Sequence, residues 1–523
     1  MRWGALKHTA RQYDWALVAL AFCIFTLLLP LSSVLSLEGD EATEFAKAQL
    51  VAKGYRLYAD IWNDQPPLHT MLLATAFSAF GPSLFTGRVI AAGFGLLAIV
   101  SIYLCARLLS GRVAGVVAAL WLYTAPECLS LFHAAMLEPA AVSIGLVSLT
   151  LALIASLRMN FAVKALSGCA LGLALQIKYT ALMVGFAGAL VLAWPETVGG
   201  SSIPLTQRLK GLGIWFGSCV IVFLVAGSLL PTVDFPTLLR SQTSSPPKEF
   251  GAVRLPLRHL VANWEFWLIV GGSLLWALKR RTLKLLVPFV LLGTSLFVHA
   301  LHRPWWYYYY LHLAVPLAWL WGVLFNGLAE STKSLRARQL VARTPLRRAG
   351  GIFAALAVCW IFSGMISRYL DSILRIRNAL ERKDCATVQV LKRRTSQDDF
   401  VFTRDKRYTF AAGVPVPPTL CVLAAKRYWS GAISEDGIRA ELLRLRTPFV
   451  LFNKHEVDYD WNAFLGRHYT KLVETELMAL YRINRNPASG TNALVSPNFC
   501  EAESTVPMNI DMPVAVSHFD KKL

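Results

Sequence analysis

Glu38-Gly39-Asp40-Glu41-Ala42 follows directly on residues 15–37, the first long apolar segment of a 523-residue chain. Two adjacent carboxylates, Asp40 and Glu41, at the mouth of a membrane segment must face water or a polar site, because carrying them into hydrocarbon costs several kcal/mol each. The flank before the segment is basic, with Arg2, Lys7 and Arg11. The segment therefore crosses outward, and the acidic pair lies on the outer face. The basic flank is like that of a signal peptide, but the run is too long and no small-x-small cleavage site follows it, so it reads as a retained first helix.

Composition agrees with a membrane chain. Apolar residues make up 55% and charged residues 16%, against roughly a quarter charged in soluble proteins. Mean hydropathy is +0.47. Apolar runs of about 15 to 20 residues recur between short loops, the pattern of a polytopic helical membrane protein. The net charge of +20 does not point to nucleic acid, because the basic residues cluster in short loops where positive-inside topology accounts for them. The nine cysteines form no CxxC or Cys/His ligand spacing. Those in apolar segments read as small core residues. A Cys385–Cys421 disulfide stays open for an extracytoplasmic terminal domain.

Taken in order, 40–53 reads as a short amphipathic helix with Asp40 as N-cap, Glu41 in the first turn, Phe45, Ala48 and Ala52 on one side, and Gly54 as the stop. Pro66-Pro67 opens 68–80, which is too short to span and is expected flat on the outer surface. Spans follow at 89–106, 113–131 and 140–157. Residues 161–177 and 179–194 read as a hairpin with Lys178 at its outer tip, since one long helix would put every later basic loop on the wrong side. Further spans lie at 212–230, 262–278, 285–301, about 311–325 and 350–366, with an outer loop before 262. The total is about eleven spans, with the N-terminus cytoplasmic. Residues 1–367 form the membrane domain. Residues 368–523 form an extracytoplasmic α/β domain, with strands at 400–403, 449–452 and 480–483, a helix opening at Ser434-Glu435-Asp436, and a tail after Asn486.

This topology collects Asp40, Glu41, Arg88, Glu138, Lys178, His302 and Arg303 on one face, beside the aromatic row Trp305 to Tyr310. The pattern resembles the GT-C superfamily of membrane glycosyltransferases. It is most similar to the bacterial protein O-mannosyltransferase family, a group that includes the lipid A aminoarabinose transferases and lipopolysaccharide galacturonosyltransferases. The resemblance is carried by Gly39-Asp40-Glu41, by Gln65-Pro66-Pro67-Leu68, by Arg88 after Phe80-Gly81, and by Glu138. Gly172-Leu173 with Lys178 and the Tyr-rich outer loop complete it. It covers roughly 10–370 and, more loosely, the terminal domain.

The resemblance implies a GT-C fold in the cell's inner (plasma) membrane. It implies sugar transfer from a polyprenyl-phosphate donor to an envelope lipid, glycan or protein on the outer face. A phosphate leaving group needs cations, for which Arg88, Lys178 and Arg303 are candidates. The acceptor hydroxyl needs a base, for which Asp40 is the candidate. One direct displacement inverts the anomeric carbon. Glu41 and Glu138 would stabilise its oxocarbenium-like state, with His302 and Tyr308 on the substrate side. No cofactor is required. Some members of the wider superfamily use a divalent ion, which Asp40 with Glu138 could hold. His299 and His302 lack a third ligand. Two departures stand out: Gln65 replaces the usual Lys and removes a positive charge, and Glu138 replaces the common Asp and lengthens the arm. The rival readings are a transporter or flippase for a lipid-linked substrate, whose mark is ionisable residues at mid-membrane, and an inactive scaffold.

Overall fold

A computed structural model describes residues 14–32, 37, 39–158, 160–193, 197–198, 201–229, 264–280, 283–302, 304–338, scattered positions from 359 to 377, and 382–484. Arg303, the outer loop before 262, most of the 350–366 span and the tail after Asn486 lie outside the described residues. The protein divides into two compact units. The first comprises 1–381 with 418–433, and the second 382–417 with 434–523.

The first unit is helical. α1 (Asp14–Leu27), α2 (Glu41–Ala52), α3 (Leu68–Phe80) and α4 (Leu84–Ser110) come first. α5 (Arg112–Thr124) ends before Pro126, which opens the short α6 (Pro126–Leu131) as its first residue. Then come α7 (Leu137–Arg158), α8 (Phe161–Leu175), α9 (Leu182–Ala193), α10 (Leu205–Leu229), α11 (Trp264–Arg280), α12 (Val287–Leu301) and α13 (Tyr310–Arg338). Among the described residues, four helices are long and apolar enough to cross a membrane: Leu84–Ser110, Leu137–Leu157, Leu205–Leu229 and Tyr307–Ser331. Shorter apolar helices accompany them, and the unit is membrane-embedded.

α4 sets the frame. Ser83 caps it by accepting from Thr86 N at 3.0 Å. Arg88 near its start and Arg107 near its end lie about 28 Å apart at 1.5 Å per residue, close to the roughly 30 Å hydrocarbon core. At the Arg107 end, the buried Asp14 is held by Arg107 and by Arg112 Nε at 2.9 Å. Asp40, Glu41 and Arg88 belong to the other end.

The chain reverses between α8 and α9. Lys178 adopts an extended conformation (φ −157°, ψ 140°) that ends the helix. Leu171 lies against Gly185, and Trp215 lies against both Gly168 and Gly188, so the two helices run antiparallel. Gly168 and Gly172, one turn apart, bring the α8 backbone onto the α10 backbone at Trp215 and Cys219, the small-residue contact that drives helix association in lipid. Ser148 and Ser167 exchange hydrogen bonds with each other's carbonyls at 2.7 Å, and Trp215 Nε1 donates to Ser167 Oγ at 3.0 Å. Polar side chains in the apolar layer are thus paired across helices.

α2 corrects one expectation. It is buried nearly all round, Glu44, Lys47 and Gln49 included, rather than amphipathic. Gly87 of α4 has no Cβ where the Phe45 ring lies, so the ring side of α2 is covered by protein. α3 does show two faces: His69, Thr70, Leu73 and Phe77 are buried, while Leu72 and Phe80 are exposed.

The second unit holds α14 (Arg382–Arg394), β1 (Val401–Phe402), α15 (Lys406–Ala412), α16 (Glu435–Arg444), β2 (Phe449–Asn453), α17 (Tyr459–His468), β3 (Tyr469–Glu474) and β4 (Met478–Ile483). The sheet order is β1-β2-β4-β3. β1 and β2 are parallel and the other pairs antiparallel. Ser434 caps α16 by accepting from Gly437 N. In the core of this unit Phe402 stacks on Trp461, and Phe452 meets both rings at steep angles. β3 is the strand absent from the sequence reading; its residues are mostly half-buried or exposed. Cys385 and Cys421 are both free thiols.

Candidate active site

Successive helical side chains diverge by about 100°, and this separates Asp40 from Glu41. Glu41 is fully buried and meets the equally buried Arg88 in a two-armed ion pair, Nε to Oε1 at 2.8 Å and Nη2 to Oε2 at 2.6 Å. Arg88 Nη1 donates to Leu31 O at 2.7 Å. Glu41 also accepts from Ala135 N and Leu37 N, both at 3.2 Å. The pair therefore ties α2 to α4, to the segment that follows α1 and to the loop before α7. This geometry does not suit the roles expected of Glu41 at the sugar and Arg88 at the phosphate. Both Glu41 oxygens and all three Arg88 nitrogens are engaged by protein.

Asp40 points elsewhere. It stands at the N-cap position but makes no side-chain cap hydrogen bond and has helical backbone angles. The expected capping role is thus absent. Its side chain is exposed to solvent yet recessed within protein. The surrounding protein, by displacing water, pushes its carboxyl up to about 6. Lys178 opposes this shift, and the charges of Glu138, Glu44 and Asp64 add to it. One turn further along α2, Glu44 accepts from Lys47 at 2.6 Å and from Thr70 at 3.0 Å, with His69 Nδ1 at 3.7 Å. Lys47 also donates to Asn63 at 3.0 Å. Burial works against the Glu44 carboxylate, but Lys47 and His69 outweigh it and hold the carboxyl down at about 2.

Glu138, in the first turn of α7, forms an ion pair with Lys178 from the α8–α9 turn. Burial works against the Lys178 ammonium, but the Glu138 carboxylate, with Tyr309 and Asp40 adding, outweighs it and raises it above its ordinary range. Lys178 Nζ lies 5.1 Å from the Tyr308 ring centre and 5.7 Å from that of Tyr309, close enough for cation–π attraction. Tyr307 Oη accepts from Gly39 N at 3.4 Å, which links the aromatic row to the loop carrying Asp40. His302 Nε2 lies 3.2 Å from Tyr309 Oη. Burial, with Lys426 and Lys178 adding, pulls His302 down to about 4, so it is neutral at physiological pH. Of the residues expected on this face, Asp40, Glu138, Lys178, His302 and Tyr308 come together. Glu41 and Arg88 lie behind them.

Two further members were not read from the sequence. Asp64 accepts from Gln65 Nε2 at 3.0 Å and lies 3.8 Å from Lys426 Nζ. Lys426 belongs to 418–433, the stretch that returns from the terminal part of the chain to the first unit. The Asp64-Gln65-Pro66-Pro67 sequence could have drawn attention to Asp64. No local signal marks Lys426.

The resemblance allows a divalent ion held by Asp40 and Glu138. Glu138, the carboxylate expected to share it with Asp40, is already paired with an ammonium. Among the described residues no group of three His, Cys, Asp or Glu side chains is arranged to hold a metal.

A family model described as dolichyl-phosphate-mannose-protein mannosyltransferase matches residues 64–226. No curated protein matches the chain. Among solved structures the chain is similar to ArnT from Cupriavidus metallidurans in the apo state, at 14% identity and a TM-score of 0.63, covering 92% of this chain and 100% of that one. ArnT bound to undecaprenyl phosphate matches at 14% identity and a TM-score of 0.62, with the same coverage. The archaeal oligosaccharyltransferase AglB from Archaeoglobus fulgidus, in complex with an inhibitory peptide and a dolichol-phosphate, matches at 13% identity and a TM-score of 0.50, covering 91% of this chain and 75% of that one.

Proposed function

We propose that this chain, which has the GT-C fold of membrane glycosyltransferases, moves a sugar from a polyprenyl-phosphate donor to a hydroxyl of an envelope lipid, glycan or protein. Transfer takes place on the outer face of the inner (plasma) membrane, with the N-terminus cytoplasmic. The observation that carries the reading is Asp40, a solvent-reached carboxylate pushed up to about 6 beside the Glu138–Lys178 pair and the tyrosines. A base works best when its pKa lies near the operating pH.

Asp40 takes the proton of the acceptor hydroxyl, and the acceptor oxygen attacks the anomeric carbon. The bond from that carbon to the phosphate oxygen breaks. Its electron pair leaves with the polyprenyl phosphate, and the anomeric configuration inverts. Lys178 meets the departing phosphate, and Glu138 holds Lys178 in place. Neutral His302 and the Tyr308 ring border the substrate. Glu41 and Arg88 hold α2 so that Asp40 faces the reacting atoms. No step is assigned to a metal.

The test is sugar transfer by purified protein in nanodiscs supplied with a polyprenyl-phosphate sugar and candidate acceptors. Asp40→Asn should lower the rate by about a hundredfold to ten-thousandfold, the usual contribution of a general base. Full activity in that variant removes Asp40 as the base. Movement of the lipid-linked substrate across the bilayer without cleavage of the glycosidic bond makes the protein a transporter.

A further inference from the structure

We propose that Lys426 is a second phosphate-binding residue beside Lys178, delivered to the donor site by the returning segment 418–433; this rests on the function proposed above. The segment lies between two stretches of the other unit, yet belongs to the first. Leu420, Cys421 and Val422 are buried. Arg427 fixes the conformation: Nη1 donates to Thr419 O at 2.7 Å and to Val422 O at 2.9 Å, and the guanidinium lies 5.4 Å from the Trp62 ring centre. Lys426, the preceding residue on the short helix Ala425–Trp429, is thereby carried to Asp64 at 3.8 Å. Gln65 holds that carboxylate from its other side.

Lys426, Lys178 and His302 influence one another electrostatically. Burial pulls the Lys426 ammonium down, Asp64 opposes this, and Lys178 adds to it. The donor chemistry identifies the anion. A polyprenyl-phosphate sugar is a diester with one negative charge. The polyprenyl phosphate released from it is a monoester with up to two. Negative charge therefore grows on the phosphate as the bond breaks, and a second ammonium binds the transition state and product more strongly than the donor. Lys178 is paired with Glu138 and Lys426 lies 3.8 Å from Asp64; the two ammonium groups together meet the charge added as the bond breaks.

The test uses the full chain in nanodiscs, with undecaprenyl phosphate and the uncharged undecaprenol as probes. Lys426→Gln should weaken undecaprenyl phosphate binding by about tenfold or more, the value of one charge-assisted contact. Undecaprenol binding should be unchanged, and Lys426→Arg should restore most of the loss. Wild-type affinity for undecaprenyl phosphate in Lys426→Gln overturns the inference. So does an equal loss for undecaprenol, or a loss that Lys426→Arg fails to restore. In each of those cases wild-type binding leaves the proposed function standing. Wild-type protein that does not bind undecaprenyl phosphate overturns the proposed function and this inference together.

Discussion

Asp40 and Glu41 are neighbours of the same charge, and their loss should have opposite consequences. Glu41→Gln keeps the shape of the side chain but leaves the Arg88 guanidinium buried without its counter-charge; both partners are fully inaccessible to solvent. Removing one member of a buried pair costs about 3–5 kcal/mol, because the surviving charge cannot regain its hydration. Against a total stability of about 5–15 kcal/mol, that is a large fraction. The α2 anchorage loosens as well, since Glu41 also receives Leu37 N and Ala135 N. Asp40→Asn breaks no hydrogen bond to the helix end and removes a carboxylate whose charged form the site disfavours. Stability should stay within about 0.5 kcal/mol of wild type or rise. The assay is unfolding in mixed micelles by denaturing-detergent titration at neutral pH, paired with sugar transfer. Glu41→Gln combined with Arg88→Gln should recover much of the stability lost in Glu41→Gln alone, since it removes the unpaired buried charge while amide groups remain to meet Leu37 N, Ala135 N and Leu31 O. A Glu41→Gln protein as stable as wild type, or an Asp40→Asn protein destabilised to the same degree, would refute the assignment of structure to one acid and chemistry to the other.

Transfer should fall on acidification with a midpoint near pH 6, because Asp40 acts only when deprotonated and its carboxyl is held at about 6. Glu138→Gln should lower that midpoint, since Glu138 is among the charges that raise it; a pH–rate profile of residual activity measures both. The Glu44 network titrates in a different window. Its folded-state carboxyl is held at about 2, below the ordinary 4.5, so its contribution is present above pH 4.5 and is lost as pH falls toward 2. Glu44→Gln should abolish that acid-dependent loss in unfolding titrations. Gly168→Leu should drive α8 off the α10 backbone at Trp215 and cost about 1–3 kcal/mol, measured as a lower midpoint of detergent unfolding.

Much of the membrane scaffold was legible because hydrocarbon imposes a simple rule on every segment that enters it. Apolar runs become helices, and basic loops stay on one side. The α8–α9 reversal followed from that rule without a Gly or Pro at the turn. Glu138 and Lys178 were assigned to one face for the same reason, and the structure joins them as an ion pair. The Gly168–Gly172 contact with Trp215 and Cys219 was not read from the sequence and is seen only in the structure. Less legible was α2, where the expected amphipathic pattern gave way to burial on nearly all sides. Paired charges such as Glu44 and Lys47 enter an interior that lone ones avoid, and pairing partners such as Asn63 and Thr70 lie outside the helix's own pattern.

The sequence by itself determined that the chain is a helical membrane protein with a small mixed domain near its end, because which segments turn apolar depends on the solvent each one meets. Only the tertiary structure decided what the acidic pair does. Whether Asp40 or Glu41 faces the site depends on the rotation of α2, which Arg88, Leu31 and Ala135 fix from distant parts of the chain. Lys426 reaches Asp64 only because 418–433 folds back to the first unit. Coulomb attraction and burial act through space, so residues far apart in sequence set the chemistry of two adjacent carboxylates.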